Sequence, residues 1–459
     1  MKKLVIMLVG VLSVFTLAAC EREEQESSVV FDEEEGRFDI EEGAEIELGV
    51  DSDALAQAIY DQWQEDFPEH ADVLSTTNYE SVNSESSGME GLELMEDEAP
   101  DVALVIDNEV IGREPAVRNL HEYFDNNIAP QTHEIYDDIN QLGEFFLPAF
   151  YDGMVFSWNA TMLEEWGHDV DDVTENNLPS EFSTWEDIFD YVEENYSLEE
   201  RPEFEGNTVR EFFPISVAEA WSGYPQLSSS GWQIYGSGDY TDPEFDTDEF
   251  EAGLEFLKAF SETDMSVDET GARRSSGEMD WRWENYLEGD YPFGMVGTWM
   301  DVESAMEENE YDLRFSNMPT WEGDEPAMLY KTKGFVINSA TEYPSAANEV
   351  MRWLYTSETM STMINSSTYI PSIDEAADFY PSIEDDYKQD MFNALEEAHL
   401  EPAETLPNNP SRRAMSVYYD IGVEDYMQDL WDGNITVSEA RESISDGADA
   451  WIEDNNTVD

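Results

Sequence analysis

The chain has 459 residues, with 108 Asp and Glu against 20 Lys and Arg, a formal net charge of −88 and a single cysteine. This balance leaves no basic footprint for phosphates and excludes nucleic acid as a partner, and one thiol excludes any intrachain disulfide. Self-repulsion on this scale opposes compaction in dilute buffer but largely disappears near 1 M salt, where the Debye length is about 3 Å. The acidity therefore describes a habitat, that of a halophile's protein, and not a ligand.

Lys2 and Lys3 open the chain, an apolar stretch runs from Leu4 to Leu17, and Leu17-Ala18-Ala19-Cys20 follows. The stretch is too short to span a bilayer comfortably, and small residues before a cleavage point mark a secretory signal over residues 1–20. Leu-Ala-Ala-Cys resembles the lipobox of bacterial lipoproteins. That resemblance implies a lipid on Cys20 and a chain held at the extracytoplasmic face of the cell membrane. Residues 21–42, rich in Glu, Asp and Ser, read as a disordered acidic tether. Beyond them more than 400 residues of ordinary apolar content remain, too many for one core, so two lobes are expected.

Glu45–Val50 alternates like a strand. Asp51, Ser52 and Asp53 offer caps for a helix carrying Leu55, Ile59 and Trp63, which Pro68 ends. A second strand, Val102–Ile106, stops at Asp107-Asn108, and Met154–Trp158 is a third. Ser183 and Glu186 have capping-box spacing ahead of Trp185, Ile188, Phe189 and Val192. Phe250, Leu254 and Leu257 mark another helix. Strands return at Phe293–Val296 and Gly334–Ile337, and Thr436 with Glu439 caps a last helix carrying Ala440, Ile444, Ala448 and Trp451. Strand, helix and strand in succession predict an α/β fold with a parallel sheet, whose ligands gather at the carboxyl ends of strands.

No Gly-x-Ser-x-Gly, His-Glu-x-x-His, phosphate-cradling Gly-x-x-x-x-Gly-Lys or Cys-x-x-Cys occurs. The five histidines lack metal-like spacing, His121 and His133 being twelve apart. No catalytic residue, metal or cofactor is expected, and the chain is not read as an enzyme. Carboxylate pairs are so common that a glycosidase pair would be invisible among them. The aromatics say more, with 13 Trp, 22 Tyr and 23 Phe. Sugar C–H faces stack on rings while hydroxyl rims need carboxylates and amides. Most aromatics are core, but Trp221, Trp281, Trp283 and Trp299 stand beside Gly, Pro or charged residues, as in Ala220-Trp221-Ser222-Gly223-Tyr224-Pro225, a context that suggests exposed loops.

Four segments in order carry a family resemblance. Leu147-Pro148 through Trp158-Asn159 is one. Tyr286-Leu287-Glu288-Gly289-Asp290-Tyr291-Pro292-Phe293-Gly294-Met295-Val296-Gly297-Thr298-Trp299 is the second. Met318-Pro319-Thr320-Trp321-Glu322-Gly323 followed by Gly334–Asn338 is the third, and Trp353–Ser357 through Tyr369-Ile370-Pro371-Ser372 the fourth. Together they resemble the family 1 extracellular solute-binding proteins of ABC importers, in particular their maltose/maltodextrin branch.

The resemblance implies two discontinuous α/β lobes, residues 43–150 with 333–370 and residues 151–332 with 371–459, and a sugar held between them. It implies a monomer that delivers a maltodextrin-like oligosaccharide to membrane permease subunits. By position Trp299 matches the family's stacking tryptophan. Asp152 falls at a hydroxyl-binding acid, Trp221 near an aromatic of the second lobe and Asp107 near an acid after the second strand, while Tyr151 and Tyr418 complete the candidate set. The chain departs from the branch at Val50-Asp51-Ser52-Asp53, which has no lysine, and around Met415 and Tyr418, which lacks a tryptophan. An exported glycoside hydrolase or lyase and a binder of a polyol or polyamine are the alternative readings.

Overall fold

The computed structural model describes residues 29–78, 99–110, 116–132, 142–196, 201–209, 211–217, 220–234, 242–265, 286–402 and 417–455. The chain divides into two compact units, Met1–Phe150 with Thr332–Ser382 and Tyr151–Lys331 with Ile383–Asp459. Two long strands, Leu147–Asn159 and Ala327–Ile337, contain two of the boundaries.

In the first unit Ile46–Val50 runs parallel to both Leu74–Asn78 and Val102–Ile106, and Lys333–Ile337 lies antiparallel to Val102–Ile106. Strand Val102–Ile106 is a run of β-branched and apolar residues because neighbours cover it on both sides. The helix Asp53–Asp66 starts where Ser52 Oγ accepts the Leu55 amide at 3.2 Å, a cap that satisfies one of the four free N–H groups of its first turn. Leu55, Ile59 and Trp63 recur along one face and are fully buried. The Trp63 ring meets Trp353 edge-on at 5.0 Å, and the Trp353 indole N–H donates to Asp66 Oδ2 at 2.8 Å.

The acidic stretch expected to be a tether through residue 42 is folded over its second half. Phe31–Asp32 and Arg37–Phe38 pair as a hairpin closed at Gly36, whose φ of +67° favours glycine. Composition hid this because carboxylates outnumber the two residues that matter: Phe38 is buried and rests on Phe31, His121, Tyr123 and Phe124.

In the second unit Met154–Trp158 is flanked by two antiparallel partners, Phe293–Gly297 on one edge and Leu313–Ser316 on the other. Helices Trp185–Asn195, Asp248–Glu262, Val423–Trp431 and Val437–Asn455 cover this unit's core. That core is aromatic: Trp185 lies 5.4–6.3 Å from Phe156, Phe189, Phe213, Phe256 and Phe260. Such pairs add roughly 0.5–1.5 kcal/mol beyond the area they bury.

Two local expectations need correction. The first capping box is shifted by one residue. Thr184, not Ser183, accepts the Asp187 amide at 3.1 Å and donates to Asp187 Oδ2 at 2.7 Å, while Glu186 accepts the Glu322 amide. Both frames have the same spacing, and the deciding factor is that Trp185 must enter the helix to be buried. Ala220–Leu227 is a helix with Pro225 inside it, not a loop; its buried Gly223 and Tyr224 supply packing that overrides the turn-like composition. The last capping box forms as written, with Thr436 N donating to Glu439 Oε2 at 2.9 Å and Glu439 N to Thr436 Oγ1 at 3.3 Å.

Candidate functional site

Strand Phe293–Gly297 ends in a tight turn in which the Met300 amide donates to the Gly297 carbonyl at 3.0 Å. Thr298 fixes this turn to the neighbouring strand. Its hydroxyl donates to the Tyr151 carbonyl at 3.2 Å and accepts the Gly153 amide at 3.3 Å, and its own amide donates to the Gly153 carbonyl at 3.0 Å. These bonds bracket Asp152, so one threonine ties the position of an acid to that of Trp299.

Gly297 has a separate role. A Cβ built there would lie 2.5 Å from an indole carbon of Trp299, so the ring folds back against the glycine backbone. Trp299 is 38% exposed, and among the described residues only Val30 and Tyr60 are comparably exposed large hydrophobic side chains. An exposed ring with a fixed backbone costs little conformational entropy when it binds, because only two side-chain torsions need ordering.

Trp221 sits in the first turn of its helix, 6.2 Å from Trp299 with the ring planes at 77°. The ammonium of Lys331 lies 5.4 Å from the Trp221 ring centroid, a cation–π arrangement that holds the indole from one side. Tyr151 is buried and its hydroxyl donates to Glu396 Oε1 at 2.7 Å. Tyr418 is also buried; its ring is 5.9 Å from Tyr224 and its hydroxyl faces the Met427 sulfur. Tyr418 thus packs behind the helix that carries Trp221. Trp281, Trp283 and Met415 lie outside the described residues.

Asp107 belongs to the first unit. It is buried at the carboxyl end of Val102–Ile106, and its Oδ2 accepts the Thr332 amide at 2.8 Å. At the end of the adjacent parallel strand, Asp51 pairs with the Lys333 ammonium at 3.3 Å, both side chains being nearly inaccessible. Lys333 also lies 4.7 Å from the Tyr369 ring centroid. The lysine missing from the first strand-to-helix turn is thus supplied to that turn by a strand distant in sequence.

Sequence reasoning brought Trp299, Trp221, Tyr151 and Asp152 forward; all four lie in the second unit, Tyr151 and Asp152 buried on the strand that Thr298 bonds and Trp221 standing 6.2 Å from Trp299. It passed over Thr298, Lys331 and Lys333. Thr298 stood inside the segment already singled out. The lysines carried a signal of another kind: only Lys258, Lys331, Lys333 and Lys388 occur after Lys3, and three of these four are buried. Lysine is almost never fully buried unless paired.

A two-unit α/β chain with acids at its parallel strand ends and an exposed tryptophan in its second unit has the architecture of a binding protein of the periplasmic type. The chain matches the family model described as bacterial extracellular solute-binding protein over residues 92–393 and belongs to that family. It therefore binds a solute outside the cytoplasm as the capture component of an ABC importer and is not an enzyme. Among solved structures it is similar to the maltose-binding periplasmic protein MalE from Listeria monocytogenes in complex with maltose. The two share 14% identity, with a TM-score of 0.64 over 90% of this chain and 98% of that one. The likeness shows the fold. Comparison with curated protein sequences returns no match.

Proposed function

We propose that the solute is a carbohydrate, a maltodextrin-like oligosaccharide, bound by a lipid-anchored monomer and handed to permease subunits in the membrane. The observation that carries this reading is Trp299: exposed, folded against Gly297 and tied through Thr298 to Asp152. A flat indole matches a sugar's C–H face, and Asp152, buried on the strand that Thr298 bonds to this turn, is proposed to accept from sugar hydroxyls. Trp221 adds a second ring at a steep angle, which suits a ligand of more than one sugar unit. Cys20 is proposed to carry the lipid, and Asp107, buried and engaged by the Thr332 amide, to act as a support at its strand end. Tyr151 and Tyr418 act as supports, holding the strand and the helix that present Asp152 and Trp221.

A thermal-shift screen of mono- and oligosaccharides, polyols and polyamines in molar salt tests the ligand class. A ligand at a hundred times its dissociation constant stabilises by about 2.7 kcal/mol. Stabilisation by oligosaccharides and by neither other class is the expected result; a response to polyamines alone would remove the sugar reading.

A further inference from the structure

The hairpin at the start of the described chain is bonded into the first unit at three separate points. Val30 N donates to Ser345 Oγ at 2.8 Å. Phe38 N donates at 2.9 Å to Glu349 Oε2, the buried carboxylate that also holds Arg352. Glu41 does most: its two oxygens accept the amides of Ser345 and Ala346 at 2.8 Å each. These amides belong to the first turn of helix Pro344–Leu354, whose own N-cap residue, Tyr343, supplies no side-chain bond. A carboxylate at a helix N-terminus satisfies free donors and meets the positive end of the helix dipole. Here it comes from a residue more than 300 positions earlier, and Phe31 and Phe38 seal the junction against His121, Tyr123 and Phe124.

We infer that residues 30–44 are a mount, which holds one face of the first unit, the face bearing helix Glu122–Asn127 and the start of helix Pro344–Leu354, close to the lipid bilayer. The inference rests on the proposed lipid at Cys20. Nine residues separate Cys20 from Val30, and ten chain steps reach at most about 35 Å. Were the hairpin free, the leash would run to the buried strand at Ile46 and more than double in length. The docked hairpin thus limits how far the unit can wander from the membrane and fixes which face the leash leaves from. A solute-binding protein that must meet a permease repeatedly gains a higher local concentration from a short leash.

The test uses the full-length acylated protein in liposomes at molar salt, labelled at Glu122→Cys, an exposed position on the helix beside the hairpin. Energy transfer to a headgroup acceptor is read in three forms: the otherwise native chain, a chain with a thirty-residue Gly-Ser insertion after Glu24, and a chain carrying Phe38→Ser with Glu41→Gln. The mount predicts strong transfer in the first and a several-fold loss in both others. The insertion lengthens the leash with the hairpin docked or free, so the double variant carries the discrimination: transfer unchanged in a double variant that still unfolds cooperatively would overturn the mount. Transfer unchanged by the insertion would overturn the mount while leaving the anchor standing. A protein that does not float with liposomes, and so carries no lipid, would overturn the anchor and the mount together.

Discussion

Both units bury charge and pack rings, since the second also hides Lys388 against Asp385 and the first stacks rings on Phe38, but their candidate residues sit in different surroundings. In the first, charge goes inside and is answered there: Lys333 by Asp51, Arg352 by Glu349, and Asp107 by the Thr332 amide. In the second, the core is a pile of rings around Trp185, and among the described residues Trp299 is the tryptophan left facing solvent. Buried charge pairs specify a geometry but return little net stability, because desolvation cancels much of their attraction. Packed rings stabilise directly and tolerate a neighbour that stays exposed. The contrast separates two kinds of candidate residue. The strand-end acids of the first unit are already engaged, and their loss should be felt as stability. Trp299 has surface to spare, and its loss should be felt as affinity.

Four experiments can break or sharpen that contrast. The largest effect should come from salt. Both units sit under a net charge of −88; the exposed part of that repulsion is screened in molar salt, whereas the buried pairs are shielded from ions. Equilibrium unfolding from about 0.1 to 3 M KCl should show stability rising by more than any single substitution removes. A flat response would mean that the carboxylates do not repel as their number implies.

Lys333→Met comes next. It removes the ammonium that pairs with buried Asp51 and should cost about 3–5 kcal/mol, measured by unfolding at fixed high salt. Adding Asp51→Asn should recover most of the loss. If Lys333→Met alone costs less than about 1 kcal/mol, the pair is not a buried charge pair in the working protein.

Gly297→Ala addresses the second unit. The added methyl must displace the Trp299 ring it would otherwise strike, and the φ of Gly297 needs no glycine. Oligosaccharide affinity should fall roughly tenfold, about 1.4 kcal/mol, with a smaller change in melting. Unchanged affinity would show that the ring position does not matter.

The smallest effect concerns Glu424, in the first turn of helix Val423–Trp431. Burial, opposed by a backbone hydrogen bond and assisted by Asp425, raises its carboxyl to about 6. The folded state therefore holds this proton more tightly than the unfolded chain does. Its contribution to stability is present below the ordinary carboxylate range and is lost as pH rises toward 6. Glu424→Gln should be more stable than the parent above pH 6, by about 1 kcal/mol or less after solvent screening. The two should converge near pH 4. A difference independent of pH would point to packing instead.

Much of the fold was legible because its elements obey local rules. The helix at Asp53 shows both its cap and its 3.6-residue stripe, and the strand at Val102 is an unbroken apolar run between turn signals. What stayed hidden was hidden by non-local partners. No pattern near Glu41 indicates that it caps a helix at Ser345, and nothing near Val50 indicates that Lys333 will reach Asp51. The segment Ala220–Pro225 misled because a glycine and a proline look like a turn until packing against Val217 and Met427 is known. Within the site, Trp299 stood out by its Gly-x context. Thr298, which positions it, looked like any threonine, since its role depends on a strand more than 140 residues earlier.

The measurement that reaches the central claim most directly is calorimetric titration of an oligosaccharide into the wild type and Trp299→Ala in molar salt, paired with unfolding of both. If Trp299 stacks a sugar ring, affinity should fall by about 1–3 kcal/mol, by analogy with rings stacked on nucleobases, while unliganded stability changes little. A variant that binds the sugar as the wild type does, but unfolds about 3–5 kcal/mol earlier, as expected for loss of a buried large aromatic, would contradict the account.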